Sequence, residues 1–260
     1  MCEPKSLIFN HTLQSWVVLS AIDQYLKREM KTEKVIGILL ILGAVGVFIP
    51  YTILTMIFDY PDILRQDAGV ILTKFHEGGG SLVFVWFLFA ILGLPLILAY
   101  ISIGQKLENK FYFIRWATTL GVISGILQII GLLRWTFVVP VLANNFVIAA
   151  SEATKESNKI AFQTIHQFGG VLLGEHLGQL FTIAWTIMIS IAFDRLRLFP
   201  KWIIWLGYIS SAIYLLAQLE LFKTVIPNFP VWDMAGFIGS TLWLIWLIII
   251  GVKFLRVEIK

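Results

Sequence analysis

Residues 166–179, His-Gln-Phe-Gly-Gly-Val-Leu-Leu-Gly-Glu-His-Leu-Gly-Gln, place His166, Glu175, His176 and Gln179 inside an otherwise apolar run. Ionisable groups in a hydrophobic segment are costly, so they mark a candidate site. Imidazole beside carboxylate can hold a ligand by hydrogen bonds, bind a cation or move a proton. A metal centre needs ligands that converge. His166 and His176 stand ten residues apart, about 15 Å along one helix, and cannot share an ion. That leaves His76, Glu77 and His166 as a sparse metal grouping, and neither a metal nor another cofactor is specified. There is no His-Glu-x-x-His pair and no Gly-x-Ser-x-Gly elbow, and Gly78-Gly79-Gly80 lacks the Lys-Ser/Thr of a phosphate loop. The single cysteine, Cys2, excludes an intramolecular disulfide and a cysteine-based metal cluster.

These groups must be positioned by a membrane bundle. Hydrophobic residues make up 58% of the chain and charged residues 14%, against about half and about a quarter in a soluble domain. Several apolar runs approach the roughly 20 residues that span a bilayer. The pattern predicts an all-α integral membrane protein of six transmembrane helices, at about 35–58, 81–103, 116–139, 160–193, 202–223 and 235–252. Pro50 and Pro95 are expected to kink the first two. Between these two helices, Leu64, Ala68, Ile71 and Phe75 share one face at helical spacing. They predict an external amphipathic helix at about 61–76, ended by the glycines. Residues 1–29 differ in character and read as an N-terminal extension or interfacial helix, with Met30 as the expected start. Residues 30–260 form one membrane domain.

Lys and Arg set the orientation. Lys27, Arg28, Lys31, Lys34, Lys106, Lys110, Arg115, Arg195, Arg197, Lys201, Lys253, Arg256 and Lys260 fall on one side, and Arg65, Lys74, Lys155 and Lys159 on the other. Both termini are therefore expected in the cytoplasm, in a bacterial inner membrane. The net charge of +4 reflects this loop bias and not a nucleic-acid partner. The same markers give depth. Arg134, Glu175 and Glu220 each lie 19 residues from Arg115, Asp194 and Lys201 respectively. That is about 28 Å of helix, close to the hydrocarbon thickness of about 30 Å. All three are expected in one layer near the outer boundary, with His176 level and Gln179 and Gln218 just below. An Arg134 pair with Glu175 or Glu220 is expected there, because a guanidinium can donate twice to carboxylate. Gly170, Gly174 and Gly178, continued by Thr182 and Thr186, form a small-residue stripe suited to close helix packing.

Several stretches resemble the bacterial family catalogued as domain of unknown function 4386. They are Asp59-Tyr-Pro-Asp-Ile-Leu with Phe75-His-Glu-Gly-Gly, Gly131-Leu-Leu-Arg-Trp-Thr-Phe-Val-Val-Pro, Gly174-Glu-His-Leu-Gly-Gln-Leu-Phe and Pro200-Lys-Trp-Ile-Ile-Trp-Leu-Gly. The resemblance covers roughly residues 33–252. It implies a multi-helix membrane protein and no particular activity.

The functional expectation is an outward-facing polar pocket that binds a small or lipid-like ligand. Its candidate residues are Arg134, Glu175, His176 and Glu220, with Gln179 and His166 behind them. A membrane-embedded enzyme using Glu175 or His176 as general base is the alternative, followed by a transporter or a structural membrane protein. The partners expected are the lipid bilayer and that ligand. The sequence specifies no oligomeric state.

Overall fold

The structure, a computed structural model, describes residues 5–256, with side chains from residue 31 onward. Its helices are α1 (Lys5–Phe58), α2 (Ala68–Ile91), α3 (Leu94–Leu107), α4 (Phe113–Phe137), α5 (Val139–Ile148), α6 (Glu152–Ile165), α7 (Gly178–Arg195), α8 (Lys201–Lys223) and α9 (Ala235–Leu255). A 3-10 turn at Asp62–Arg65 precedes α2. The stretch His166–Leu177, between α6 and α7, is π-helical. No strand occurs among the described residues. Six stretches are long and apolar enough to cross a membrane: Lys31–Phe58, Ala68–Leu107, Phe113–Ile148, Glu152–Arg195, Lys201–Lys223 and Ala235–Leu255. The chain is a multi-pass helical membrane protein. The extension expected at 1–29 falls on residues whose side chains lie outside those described, as do Lys27, Arg28 and Lys260. The backbone from Lys5 is helical within α1.

The second, third and fourth stretches run to 40, 36 and 44 residues, well beyond the roughly 20 that a bilayer needs. Their surplus turns lie toward one end, called distal here, which carries residues 59–67, 149–151 and 224–234. The proximal end carries the basic residues Lys106, Arg115, Arg195 and Lys201. The expected distal helix is present, but it is joined to the membrane helix below it. Its face residues Leu64, Ala68, Ile71 and Phe75 are all buried. Residues 62–65 form the 3-10 turn, and Asp67 caps α2 by accepting from the Gly69 N–H at 2.8 Å. The three glycines do not end the helix. Only Gly79 leaves helical geometry, at φ 56° and ψ −153°, a conformation open essentially to glycine alone. Pro95 and Pro140 sit in the first turns of α3 and α5, where a missing N–H loses no helical bond. The chain therefore breaks just ahead of each proline and then resumes as helix.

Two large apolar cores result, with a small third cluster of Ile183, Tyr214, Ala217 and Ala235. The proximal core joins Ile36, Leu40, Tyr100, Trp185, Phe193, Trp246 and Phe254 with their neighbours. The distal core is aromatic and includes Phe58, Phe75, Trp86, Trp135 and Phe162. Trp86 and Trp135 stack at 4.7 Å between centroids. Trp243 and Trp246 pack inside the bundle, and their indole N–H groups donate to Thr186 Oγ1 and to the Ile203 carbonyl, each at 2.9 Å. Helix α4 lies along α7 and the π segment, and that contact positions the candidate site.

Candidate functional site

The π segment coincides with the polar stretch of the sequence. Its bonds run i→i+5, so each residue turns by roughly 80° instead of about 100°. Over the nine residues from His166 to Glu175, an α-helix would leave these side chains on opposite faces. The π-helix returns Glu175 to the face of His166.

The glycines make this approach possible. A methyl group on Gly170 would overlap the Arg134 guanidinium. One on Gly174 would lie 3.4 Å from Gly131 Cα, and one on Gly178 would lie 2.7 Å from Gln128 Cγ. The stripe is therefore the seat of α4, as expected of small residues between membrane helices. Below it, Ser124 and Thr182 hydroxyls meet at 2.6 Å, and the Gln128 amide donates to both oxygens at 3.0 Å. These uncharged groups replace the apolar contact that the helix faces would otherwise make.

The expected pairing of Arg134 with Glu175 or Glu220 is not formed. Arg65, from the 3-10 turn, takes both carboxylates. Its Nη2 donates to Glu175 Oε2 at 2.8 Å and its Nε to Glu220 Oε1 at 3.1 Å. The three side chains are 20–34% exposed, so the cluster lies at a boundary and is not sealed in the bundle. Burial would push the Arg65 guanidinium down, but Glu175 and then Glu220 outweigh it and hold its pKa above the ordinary value. Tyr60, on the same segment, is pushed well above its ordinary value by burial and then by the Glu175 charge.

Arg134 instead folds back along its own helix. It is 8% exposed; its Nη1 donates to the Gly131 carbonyl and its Nη2 reaches His166 Nδ1 at 3.4 Å. Its Nε has no partner among the described residues. The His166 ring stacks on Phe162 at 5.3 Å and meets Trp135 edge-on at 6.1 Å. His176 and Gln179 belong to a separate chain on α8: Gln218 Oε1 lies 3.0 Å from His176 Nδ1, and Gln218 Nε2 donates to Gln179 Oε1 at 2.7 Å.

The sequence-selected residues thus fall into three groups: Glu175 with Glu220 on Arg65, Arg134 with His166, and His176 with Gln179 on Gln218. The metal grouping of His76, Glu77 and His166 is not assembled. His76 and Glu77 are exposed on α2 while His166 is buried, and no three metal-ligating side chains converge among the described residues. Arg65 is the residue that sequence reasoning missed. Counting charges by side assigned it to a loop, although it directly follows the Asp59-Tyr-Pro-Asp-Ile-Leu motif. A cleft of about 130 Å³ opens beside His166, lined also by Gln66, Asp67, Phe162, Gln163 and Gln167 among others.

No curated protein and no solved structure matches the chain. The family described as Domain of unknown function (DUF4386) matches residues 35–251, most of the chain, and the protein belongs to that family.

Proposed function

We propose that the protein binds a small or lipid-like ligand at the distal end of its bundle, in the polar pocket around Arg134, Glu175 and Glu220. His166, beside Arg134, and His176 and Gln179, on Gln218, are the further candidates. The basic residues at the proximal end support an orientation with that end in the cytoplasm. The pocket then faces outward from a cell membrane. One observation carries the reading: the 59–67 segment, the π segment and α8 each send a charged side chain to one boundary cluster, and α4 keeps a further charge, Arg134, buried in the same end of the bundle. Packing alone does not call for such a convergence, because charges at membrane depth are costly. The catalytic alternative gains nothing from the geometry, since Glu175 is held by Arg65 and His176 Nδ1 faces Gln218.

The test is to extract the protein from its native membrane in mild detergent and identify bound molecules by mass spectrometry. Wild type is expected to retain a molecule in near-stoichiometric amount whose yield changes in Glu175→Gln and Glu220→Gln. Identical bound molecules and yields in all three proteins would refute the reading.

A further inference from the structure

The turn from α7 to α8, residues 196–200, joins two membrane-spanning stretches at the proximal end. Backbone hydrogen bonds fix its shape. The Leu196, Arg197 and Leu198 N–H groups donate to the carbonyls of Ala192, Asp194 and Phe193, each at 3.0 Å. The last two close a helix end whose turning residue is left-handed, a position that glycine usually fills. In this chain the residue is Arg197, at φ 53°. A side chain at that angle is strained, and strain of this kind collects at ligand clamps. No ion pair offsets it: Arg197 is exposed and has no acidic partner among the described residues, and the nearby Asp194 is taken by Lys201.

Arg197 and Lys201 line a cleft of about 420 Å³ together with Asp194, Phe199 and Pro200. That volume falls within the roughly 300–1,000 Å³ typical of small-ligand sites. Its apolar wall is preformed, because the Phe199 ring meets Phe193 at 4.8 Å and Phe254 at 5.5 Å between centroids. With Arg197 and Lys201 against Asp194 alone, the cleft keeps a net positive charge. Arg195 adds to it from beside the turn. Its guanidinium lies over the Phe111 and Phe113 rings at 5.7 and 5.6 Å and meets no carboxylate among the described residues. Trp202 and Trp205 are exposed one turn apart on α8. Exposed tryptophans gather where helices enter the headgroup layer, so the cleft lies at headgroup depth.

We propose that this cleft seats the phosphodiester headgroup of an anionic phospholipid from the adjoining leaflet. Arg197 supplies a planar fork of donors for the phosphate, and Lys201 supplies a second positive charge. Basic pockets at the ends of membrane helices hold anionic headgroups in this way. The site is at the opposite end of the bundle from the distal pocket and does not depend on it.

The test uses the full chain, purified in mild detergent, stripped of lipid and titrated with phosphatidylglycerol or phosphatidylcholine by native mass spectrometry. Wild type should prefer phosphatidylglycerol at least about fivefold, and Arg197→Gly should lower that preference to less than about twofold. Without lipid, the same variant should raise the melting temperature by about 1–4 °C, because it removes the left-handed strain. Opposite signs for stability and binding mark a residue kept for a ligand and not for the fold. Asp194→Asn should strengthen phosphatidylglycerol binding severalfold by removing the carboxylate of the cleft. Arg115→Gln, an equal loss of charge at the same end, should leave the preference within about twofold of wild type, because exposed charges outside the cleft are screened. Equal binding of the two lipids by wild type, or a preference intact in Arg197→Gly, overturns the proposal. An equal loss in Arg115→Gln also overturns it, since the attraction is then that of a diffuse basic surface. Displacement of the lipid by inorganic phosphate at matched ionic strength overturns it as well, in favour of a free-anion site.

Discussion

Replacing Arg65 by Gln removes both ion pairs at the distal boundary while keeping a side chain of similar reach. Charge-assisted hydrogen bonds contribute about 1.5–3 kcal/mol each when well shielded. Here the partners are 20–34% exposed, and exposed ion pairs contribute about 0–1 kcal/mol. A total loss of about 1–3 kcal/mol follows. For a chain of this size that lowers the melting temperature in detergent by about 2–10 °C. The assay should be a double-mutant cycle with Glu175→Gln, since a single substitution also counts the cost of leaving two carboxylates unpaired. The expected coupling is about 1 kcal/mol or more, and amide exchange over residues 59–67 should quicken in the single variant. Arg65→Lys should recover only part of the loss, because an ammonium cannot span Glu175 and Glu220 with two directed N–H groups as the guanidinium does. Additive effects of Arg65→Gln and Glu175→Gln, with unchanged exchange in 59–67, would refute the idea that Arg65 ties the distal segment to the π segment and α8.

Other substitutions probe the packing. Gly131→Val should destabilise by about 1–3 kcal/mol or more, because its Cβ would lie 2.9 Å from Gly174 Cα. Gly80→Ala, with open space around it, should leave the melting temperature level or raise it through helix propensity. Gly79→Ala should cost about 1–3 kcal/mol through its φ of 56° alone, measured by the same thermal unfolding. Trp243→Phe should cost about 1 kcal/mol by removing the indole donor to Thr186, and pairing it with Thr186→Val should show strong non-additivity.

Six membrane helices were legible because apolar runs of bilayer length leave little choice of structure. The burial of Leu64, Ala68, Ile71 and Phe75 was legible from spacing for the same reason. The helix limits were less so. Polar surplus turns such as residues 152–159 read as loop to hydropathy, although they open α6 and Ser151 caps them by accepting from the Thr154 N–H. Counting depth gathered Glu175 and Glu220 correctly and assigned them the wrong arginine. Axial depth says nothing of what a neighbouring loop sends in from the side, and Arg65 does so. Faces were the least legible. A wheel drawn at 100° per residue sets Glu175 opposite His166, and nothing in local composition announced that 166–177 winds as a π-helix.

The separation of the two apolar cores has a mechanical consequence. The proximal cluster and the aromatic distal cluster share no buried side chain, and the partly buried Val47 on α1 packs against both. Between them lies the band of uncharged hydroxyl and amide groups, Ser124, Gln128 and Thr182, on α4 and α7. Clusters divided in this way are expected to open as separate units, so amide exchange should distinguish the aromatic distal core from the proximal one. A ligand at the candidate site would then be felt first by the half of the molecule that bears it, while the other half keeps its packing.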